Sequence, residues 1–342
     1  MQCYKCRKEL PDRANECPAC GQRVYTTASS PGASLGRRLD GCLAETPSPR
    51  DYTAVPNISS LPPRVDLRPG CSPVENQGQI GSCSANAIVG AVEFKRWKEG
   101  RQDDLSRLFV YFNARKMSGM EKEDCGARIA HGMAAFLAHG APPESAWPYD
   151  PSRVTTMPDD AAYTRAAPNA EVEYARLSGI EHIRGALARQ LPVVFSISLP
   201  SRCYDEAASG GVMPKPTDDE IAGVLTQHGR HAMLLVGYDT DQNIFHVRNS
   251  WGTEWGDRGY CRLSIDTFQR AMAADTAWVL GSLEASGAFS VTRPALTSPP
   301  VEGGVRDRAA GLRDEIRGGV VKDLDSALKG IRERVNPPRR EG

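Results

Sequence analysis

The sequence has no excess charge of either sign: Lys plus Arg and Asp plus Glu each total 42. That balance removes the basic surplus that draws a chain to nucleic acid or to an anionic membrane. No apolar run approaches the roughly 20 residues that cross a bilayer. The opening residues, MQCYKC, lack the basic-then-apolar order of a secretory signal. These absences lead to the expectation of a reducing, cytoplasmic location. There, ten cysteines are expected as metal ligands or catalysts sooner than as disulfide partners. What the sequence does have is length: 342 residues, 40% hydrophobic, can bury the core of two modest domains or of one large one.

Composition divides the chain into four parts. Residues 1–24 hold Cys3 and Cys6 as one CxxC pair and Cys17 and Cys20 as another. Two residues between paired thiols suit a tight turn that aims both sulfurs at one ion, and four thiolates satisfy tetrahedral Zn²⁺. So short a segment needs the metal to fold. This stretch resembles small zinc ribbons, which implies one structural zinc ion per chain and no zinc role in catalysis. Residues 25–62 are rich in Ser, Pro, Gly and Thr and read as a linker, with SPRDYTA as a patch that can lie against the main body. Residues 63–285 carry nearly all the strong periodic signals. From 286 to 342 a second linker leads to an apolar stripe running from Val305 to Val335, broken by Gly318 and Gly319. That helix either packs on its own domain or docks on a partner, and its mixed charges argue against a dedicated membrane helix.

The chemistry centres on VENQGQIGSCSANA, residues 74–87. After Cys83, the residues Ala87, Ile88, Ala91, Phe94 and Trp97 recur at helical spacing, so the thiol stands at the start of a buried helix. Unpaired N–H groups and the helix dipole favour a thiolate there. Gly78 and Gly81 let the preceding loop bend and approach the sulfur. Gln77 offers a side-chain N–H that, with the Cys83 backbone N–H, can hold an oxyanion. A base is also needed, and His231 opens the apolar run HAMLLVGYD, which reads as a central strand. After a turn at DTDQN and the strand IFHVR comes Asn249. Antiparallel pairing would set Asn249 beside His231, where its carbonyl can accept one imidazole N–H and leave the other nitrogen to the thiol. Each residue alone has a blander reading, as a buried thiol, a core histidine and a turn asparagine. The set together does not.

At this point VDLRPGCSPVENQGQIGSCSANA, HAMLLVGYD and VRNSWGTEWGDRGYCRL resemble the three signature blocks of papain-family cysteine peptidases. They stand in the family's order, over roughly residues 63–285. The resemblance implies an α+β, two-lobed fold: a helical lobe over about 77–175 with Cys83 and a β-rich lobe over about 176–285 with His231 and Asn249. It implies Gln77 as oxyanion donor, Cys83 as nucleophile, His231 as general base and acid, and Asn249 as orienter. Trp251 would shield the His–Asn contact, and Gly126 would let the substrate backbone approach. Secreted members usually carry cysteine at Ile80 and tryptophan at Ser84, so this chain departs from them at both. No long helical prodomain fits into residues 25–62.

The resulting expectation is a cysteine-type peptidase acting on a peptide or protein substrate through a thioester. Other thiol acyl-transfer enzymes (a deamidase or transamidase) share the residues, and a zinc-ribbon adaptor with a mainly binding body is a rival of another class. A protein partner could bind the ribbon or the C-terminal helix; no nucleic-acid partner and no membrane span are expected. Because the ribbon lies upstream of a linker, deleting residues 1–24 should remove one zinc per chain by elemental analysis. Turnover of a small peptide should be nearly unchanged by that deletion; a large loss with the body still folded would overturn the linker reading.

Overall fold

The computed structural model describes residues 18–19, 37–44, 51–56, 60–170, 173–227, 229–272, 277–281 and 289–292. The ribbon cysteines Cys3, Cys6, Cys17 and Cys20 and the apolar stripe of the tail lie outside these residues.

The stretch CSANAIVGAVEFKRWK has small or apolar side chains on every side instead of one stripe. A helix of that kind has no solvent face and must be surrounded. It forms α1 (Cys83–Lys98), buried continuously from Cys83 to Phe94. Two helices pack along it: α2 (Arg107–Lys116) and α3 (Ile129–His139). The first is started by the Ser106 hydroxyl, which accepts the Phe109 N–H at 3.2 Å. The second stops at Gly140, whose φ of 71° ends the helix. The short α4 (Asp160–Ala166) completes this lobe and is capped by the Asp159 carboxylate, which accepts from Ala162 N–H at 2.8 Å.

The second lobe is built on one sheet. Its strands in chain order are β1 (Thr53–Pro56), β2 (Arg64–Asp66), β3 (Glu173–Leu177), β4 (Val193–Ile197), β5 (His231–Asp239), β6 (Ile244–Arg248), β7 (Tyr260–Ser264), β8 (Ala277–Gly281) and β9 (Phe289–Thr292). They lie side by side in the order β7-β6-β5-β4-β8-β3-β1-β9, with β2 added on β5. HAMLLVGYD is apolar at successive positions because β5 is covered on both faces and buried along its whole length. On one face lies α1, with Gly90 close to Leu234. Four further helices belong to this half: α5 (Gly179–Ala188), α6 (Ser201–Ala207), α7 (Asp218–Gln227) and α8 (Ile265–Ala271).

The two-lobed α+β expectation therefore holds, and the lobe limits shift. β3 begins at Glu173, inside the stretch assigned to the helical lobe. β1 comes from the part read as linker and β9 from beyond residue 285; the two pair with each other, and β1 also pairs with β3. Thr53 and Ala54, the end of the SPRDYTA patch, thus enter the sheet. Four residues ending in proline carry too little local signal to read as a strand. Their stability comes from partners far away in sequence, including the Asp51 carboxylate paired with Arg176 at 2.6 Å.

The lobes are tied by a buried polar chain. Ser72 donates its hydroxyl to Glu93 of α1 at 2.6 Å, and Arg248 at the end of β6 donates to the Ser72 carbonyl at 3.0 Å. The other Glu93 oxygen accepts the Leu105 N–H at 2.9 Å. Burial nevertheless pushes the Glu93 carboxyl up from 4.5 to about 7, only partly offset by these donors. Below pH 4.5 the group is protonated in folded and unfolded chains alike. As pH rises toward 7 the unfolded chain releases that proton first, so the stability present at low pH is lost. The loss is at most about 3 kcal/mol. Glu93→Gln should flatten this dependence, measured as urea-unfolding free energy at pH 5 and pH 8; an unchanged slope would show that Glu93 does not cause it.

Candidate active site

Cys83 is the first residue of α1 and is fully buried. Gly78, with a φ of 60°, supplies the sharp bend in the loop before it. Gly81 serves close approach instead: a Cβ there would lie 2.9 Å from the Tyr111 hydroxyl and 3.0 Å from the Gly126 nitrogen. The loop of the thiol and the loop of Gly126 are therefore in backbone contact. Asp124 fastens them, accepting the Gly81 N–H at 2.9 Å and the Tyr111 hydroxyl at 2.6 Å on one carboxylate oxygen.

His231 is the first residue of β5, at the end of the strand that meets α1. The next residue, Ala232, donates its N–H to Cys83 Sγ at 3.4 Å, which fixes the start of the strand at the thiol. The β5–β6 ladder pairs Leu234 with Arg248. Carried one step further, it brings Asn249 diagonally across from His231 on the same face. Asn249 Oδ1 lies 2.7 Å from His231 Nε2 and accepts the Ser250 N–H at 2.8 Å. The backbone donor leaves no choice about which end of the amide is oxygen, so His231 Nε2 carries a hydrogen and Nδ1 is the basic nitrogen. Trp251 stacks on the imidazole, centroids 4.6 Å apart and planes 23° from parallel, while Tyr204 meets it edge-on at 5.7 Å.

Gln77 is buried below the same loop. Its N–H donates to the Ser250 carbonyl at 2.8 Å, and its Oε1 accepts the Ser250 hydroxyl at 2.6 Å. That fixes Nε2 on the opposite side, where one of its two hydrogens bonds the Ile80 carbonyl at 3.0 Å. Ser250 thus sets both Asn249 and Gln77, and Asp124 sets both loops. Sequence reasoning missed the two of them. Ser250 stood inside the RNSWG block, where only its neighbours drew notice; Asp124 stands two residues before Gly126 and carried no separate signal. His131 carries no part of this group and bonds Ser118 at 2.7 Å.

Residues 37–44, inside the stretch read as linker, lie across the thiol. The Cys42 N–H donates to the Arg230 carbonyl at 2.9 Å on the β-rich side. On the helical side Leu43 N–H donates to the Ala127 carbonyl at 3.2 Å, and Ala127 N–H to the Gly41 carbonyl at 3.1 Å. Gly41 passes directly over Cys83, so that a Cβ on it would lie 2.9 Å from Sγ. Arg37 rests over the Trp251 ring at 5.5 Å. Burial then decides the state of the thiol, pushing Cys83 up to about 12 against the Ala232 N–H and the Arg38 charge, both of which lower it. The expected thiolate at a helix start is therefore suppressed in the covered cleft, because desolvation outweighs the helix N–H groups.

Residues 61–279 match the papain family cysteine protease family. The chain is 33% identical over 219 residues to an uncharacterized peptidase C1-like protein of Acanthamoeba polyphaga mimivirus, covering 60% of this chain and 68% of that one. It is 31% identical over 245 residues to cathepsin K of Gallus gallus, covering 68% of this chain and 67% of the cathepsin. Among solved structures it resembles xylellain, a cysteine protease from Xylella fastidiosa, with a TM-score of 0.63 and 32% identity over 71% of this chain and 97% of that one.

The tight fit at Gly41 makes the covering testable. Gly41→Val must displace either Gly81 or the segment itself, and overpacking of this kind costs roughly 1–3 kcal/mol. Alkylation of Cys83 by iodoacetamide, read by peptide mass mapping, should become about tenfold faster or more. An unchanged rate would show that Gly41 does not control access to the sulfur.

Proposed function

The chain belongs to the papain family of cysteine proteases and is a cysteine-type peptidase, and within it we propose that Cys83, His231, Asn249 and Gln77 carry out the hydrolysis of peptide bonds. The reading rests above all on the Ser250–Asn249–His231 arrangement, which leaves Nδ1 as the basic nitrogen on a residue whose neighbour touches the thiol. With residues 37–44 moved aside, water and substrate reach Cys83 and the desolvation that holds the thiol neutral is lifted.

His231 Nδ1 then takes the Cys83 proton, and the thiolate attacks the carbonyl carbon of the substrate amide. The oxyanion that forms accepts hydrogen bonds from Gln77 Nε2 and the Cys83 backbone N–H. As it collapses, the C–N bond breaks and His231 gives its proton to the leaving amine. A water molecule replaces the amine, His231 takes one of its protons, and hydroxide adds to the thioester carbonyl. Collapse of this second oxyanion releases the carboxylic acid and returns Cys83 and His231 to their starting state. Asn249 keeps the imidazole in one orientation throughout, while Trp251 and Tyr204 exclude water from the His231–Asn249 bond. Gly126 offers backbone to the substrate chain: a side chain there would press on whatever passes over the thiol, as it would on the Gly41 carbonyl at 2.7 Å.

The paired CxxC motifs support a structural Zn²⁺ on Cys3, Cys6, Cys17 and Cys20 that is separate from this chemistry. Cysteine usage supports a reducing, cytoplasmic setting. A protein partner for the ribbon or the tail remains part of this proposal, supported by composition alone.

Cys83→Ala should abolish hydrolysis of a fluorogenic peptide while circular dichroism stays unchanged, because a small side chain suits a helix start. Gln77→Ala should lower kcat on the order of a hundredfold, the usual loss for one oxyanion donor. Asn249→Ala should retain more activity than Cys83→Ala, since it orients the base without touching the reacting atoms. Full activity in Cys83→Ala would refute the assignment.

A further inference from the structure

The segment over the thiol is also a mould of the cleft, because its side chains have settled against the walls that a substrate would meet. Arg38 is the deepest charged group in it, with a side chain only 15% exposed. Its Nη1 donates to the Asp124 carboxylate at 2.6 Å and to the Asp124 carbonyl at 2.9 Å, and its Nε donates to Asp40 of the same segment at 2.7 Å. Asp124 divides its oxygens between two tasks. Oδ1 is committed to the frame through Gly81 and Tyr111, while Oδ2 meets Arg38. The position is next to the chemistry, since Gly81 lies two residues before Cys83 and Gly126 two residues after Asp124.

Among the described residues, Arg38 is the cation paired with this carboxylate. The nearby Arg115 guanidinium is instead held by backbone carbonyls, those of Tyr111, Glu121, Glu123 and Val154. Tyr111 is kept in its neutral, donating form, because burial and the Asp124 charge both push its hydroxyl well above the ordinary range. When the covering segment leaves, a half-buried carboxylate oxygen beside the thiol loses its cation, and an unpaired charge there is unfavourable. A guanidinium or ammonium group brought by the substrate restores the pair.

Resting on the peptidase reading above, we propose that Asp124 is a specificity-determining residue: it forms a subsite for a basic side chain next to the scissile bond, which Arg38 fills while the cleft is covered and which a substrate arginine or lysine takes when it is open. Asp124 is not a catalytic residue in this scheme. It selects which chain is held over Cys83.

The test uses the full chain with Arg38→Ala, which removes the internal occupant, combined in every variant with Gly41→Val, which displaces the covering segment, and two chloromethyl ketone peptides that differ only in ending with arginine or with its neutral isostere citrulline. Attack by Cys83 on the methylene carbon forms the C–S bond and expels chloride, and peptide mass mapping gives the rate at that residue. The arginine probe should label Cys83 roughly tenfold faster or more than the citrulline probe, as expected for a charge-assisted hydrogen bond. Adding Asp124→Asn, whose Oδ1 can still accept from Gly81 and Tyr111, should bring the ratio of the two rates close to one. Equal rates in Arg38→Ala would overturn the subsite and leave the peptidase reading standing. A ratio that survives Asp124→Asn would overturn the assignment of Asp124. Reaction of Cys83 with neither probe, while iodoacetamide modifies the partly exposed Cys71 and Cys125, would count against the nucleophile itself and remove the proposal with it.

Discussion

Everything at the site depends on the single carbonyl oxygen of Asn249. It accepts two hydrogens, one from His231 Nε2 and one from the Ser250 backbone. The backbone donor cannot rotate away, so it fixes the amide; the amide in turn fixes the imidazole; and the imidazole then presents Nδ1 as the basic nitrogen. A neutral imidazole has two interchangeable tautomers in water, and only one of them can donate to the Asn249 oxygen. The aromatic cover of Trp251 and Tyr204 keeps this chain of bonds dry, where each bond is stronger than it would be in solvent.

Against that preparation stands the burial of the sulfur. A cysteine at a helix start beside a donated N–H would ordinarily be a good thiolate, yet Cys83 is held protonated under Gly41. The same short segment helps to keep solvent from the sulfur, so cover and ionisation are linked. Its grip is distributed between the lobes: Arg230 on one side, Ala127 on the other, and the Arg38–Asp124 pair beneath. The backbone bonds are independent of side-chain identity, whereas the ion pair is selective. Chemistry at this cleft therefore resides in loops and element ends, while α1 and β5 supply rigidity through their complete burial.

Much of the site was legible from local sequence. Gly78 and Gly81 announced a bent loop, the apolar spacing after Cys83 announced a helix, and the alternation of strand, turn and strand between His231 and Asn249 implied their meeting. Those are short-range patterns, where chemistry and spacing stand in the same few residues. Asp124 was not legible, because its importance lies in bonding Gly81 across 43 residues and Arg38 across 86. Ser250 was passed over because a serine bonding with its backbone N–H as well as its hydroxyl looks like any other loop serine. The linker composition of residues 25–62 was correct as composition and misleading as structure, since β1 and the covering segment both arise from it.

By itself the sequence determined the family and the α+β plan, and it picked out the residues we propose as thiol, base, orienter and oxyanion donor, since each is tied to a periodicity or a motif within reach of its neighbours. Only the tertiary structure decided the protonation state of Cys83, the occupant of the cleft and the partner of Asp124. These depend on which solvent is excluded and which charges approach through space. Pairings between distant residues leave no periodic trace in a chain, because the backbone between them is free to be of any composition that closes the loop.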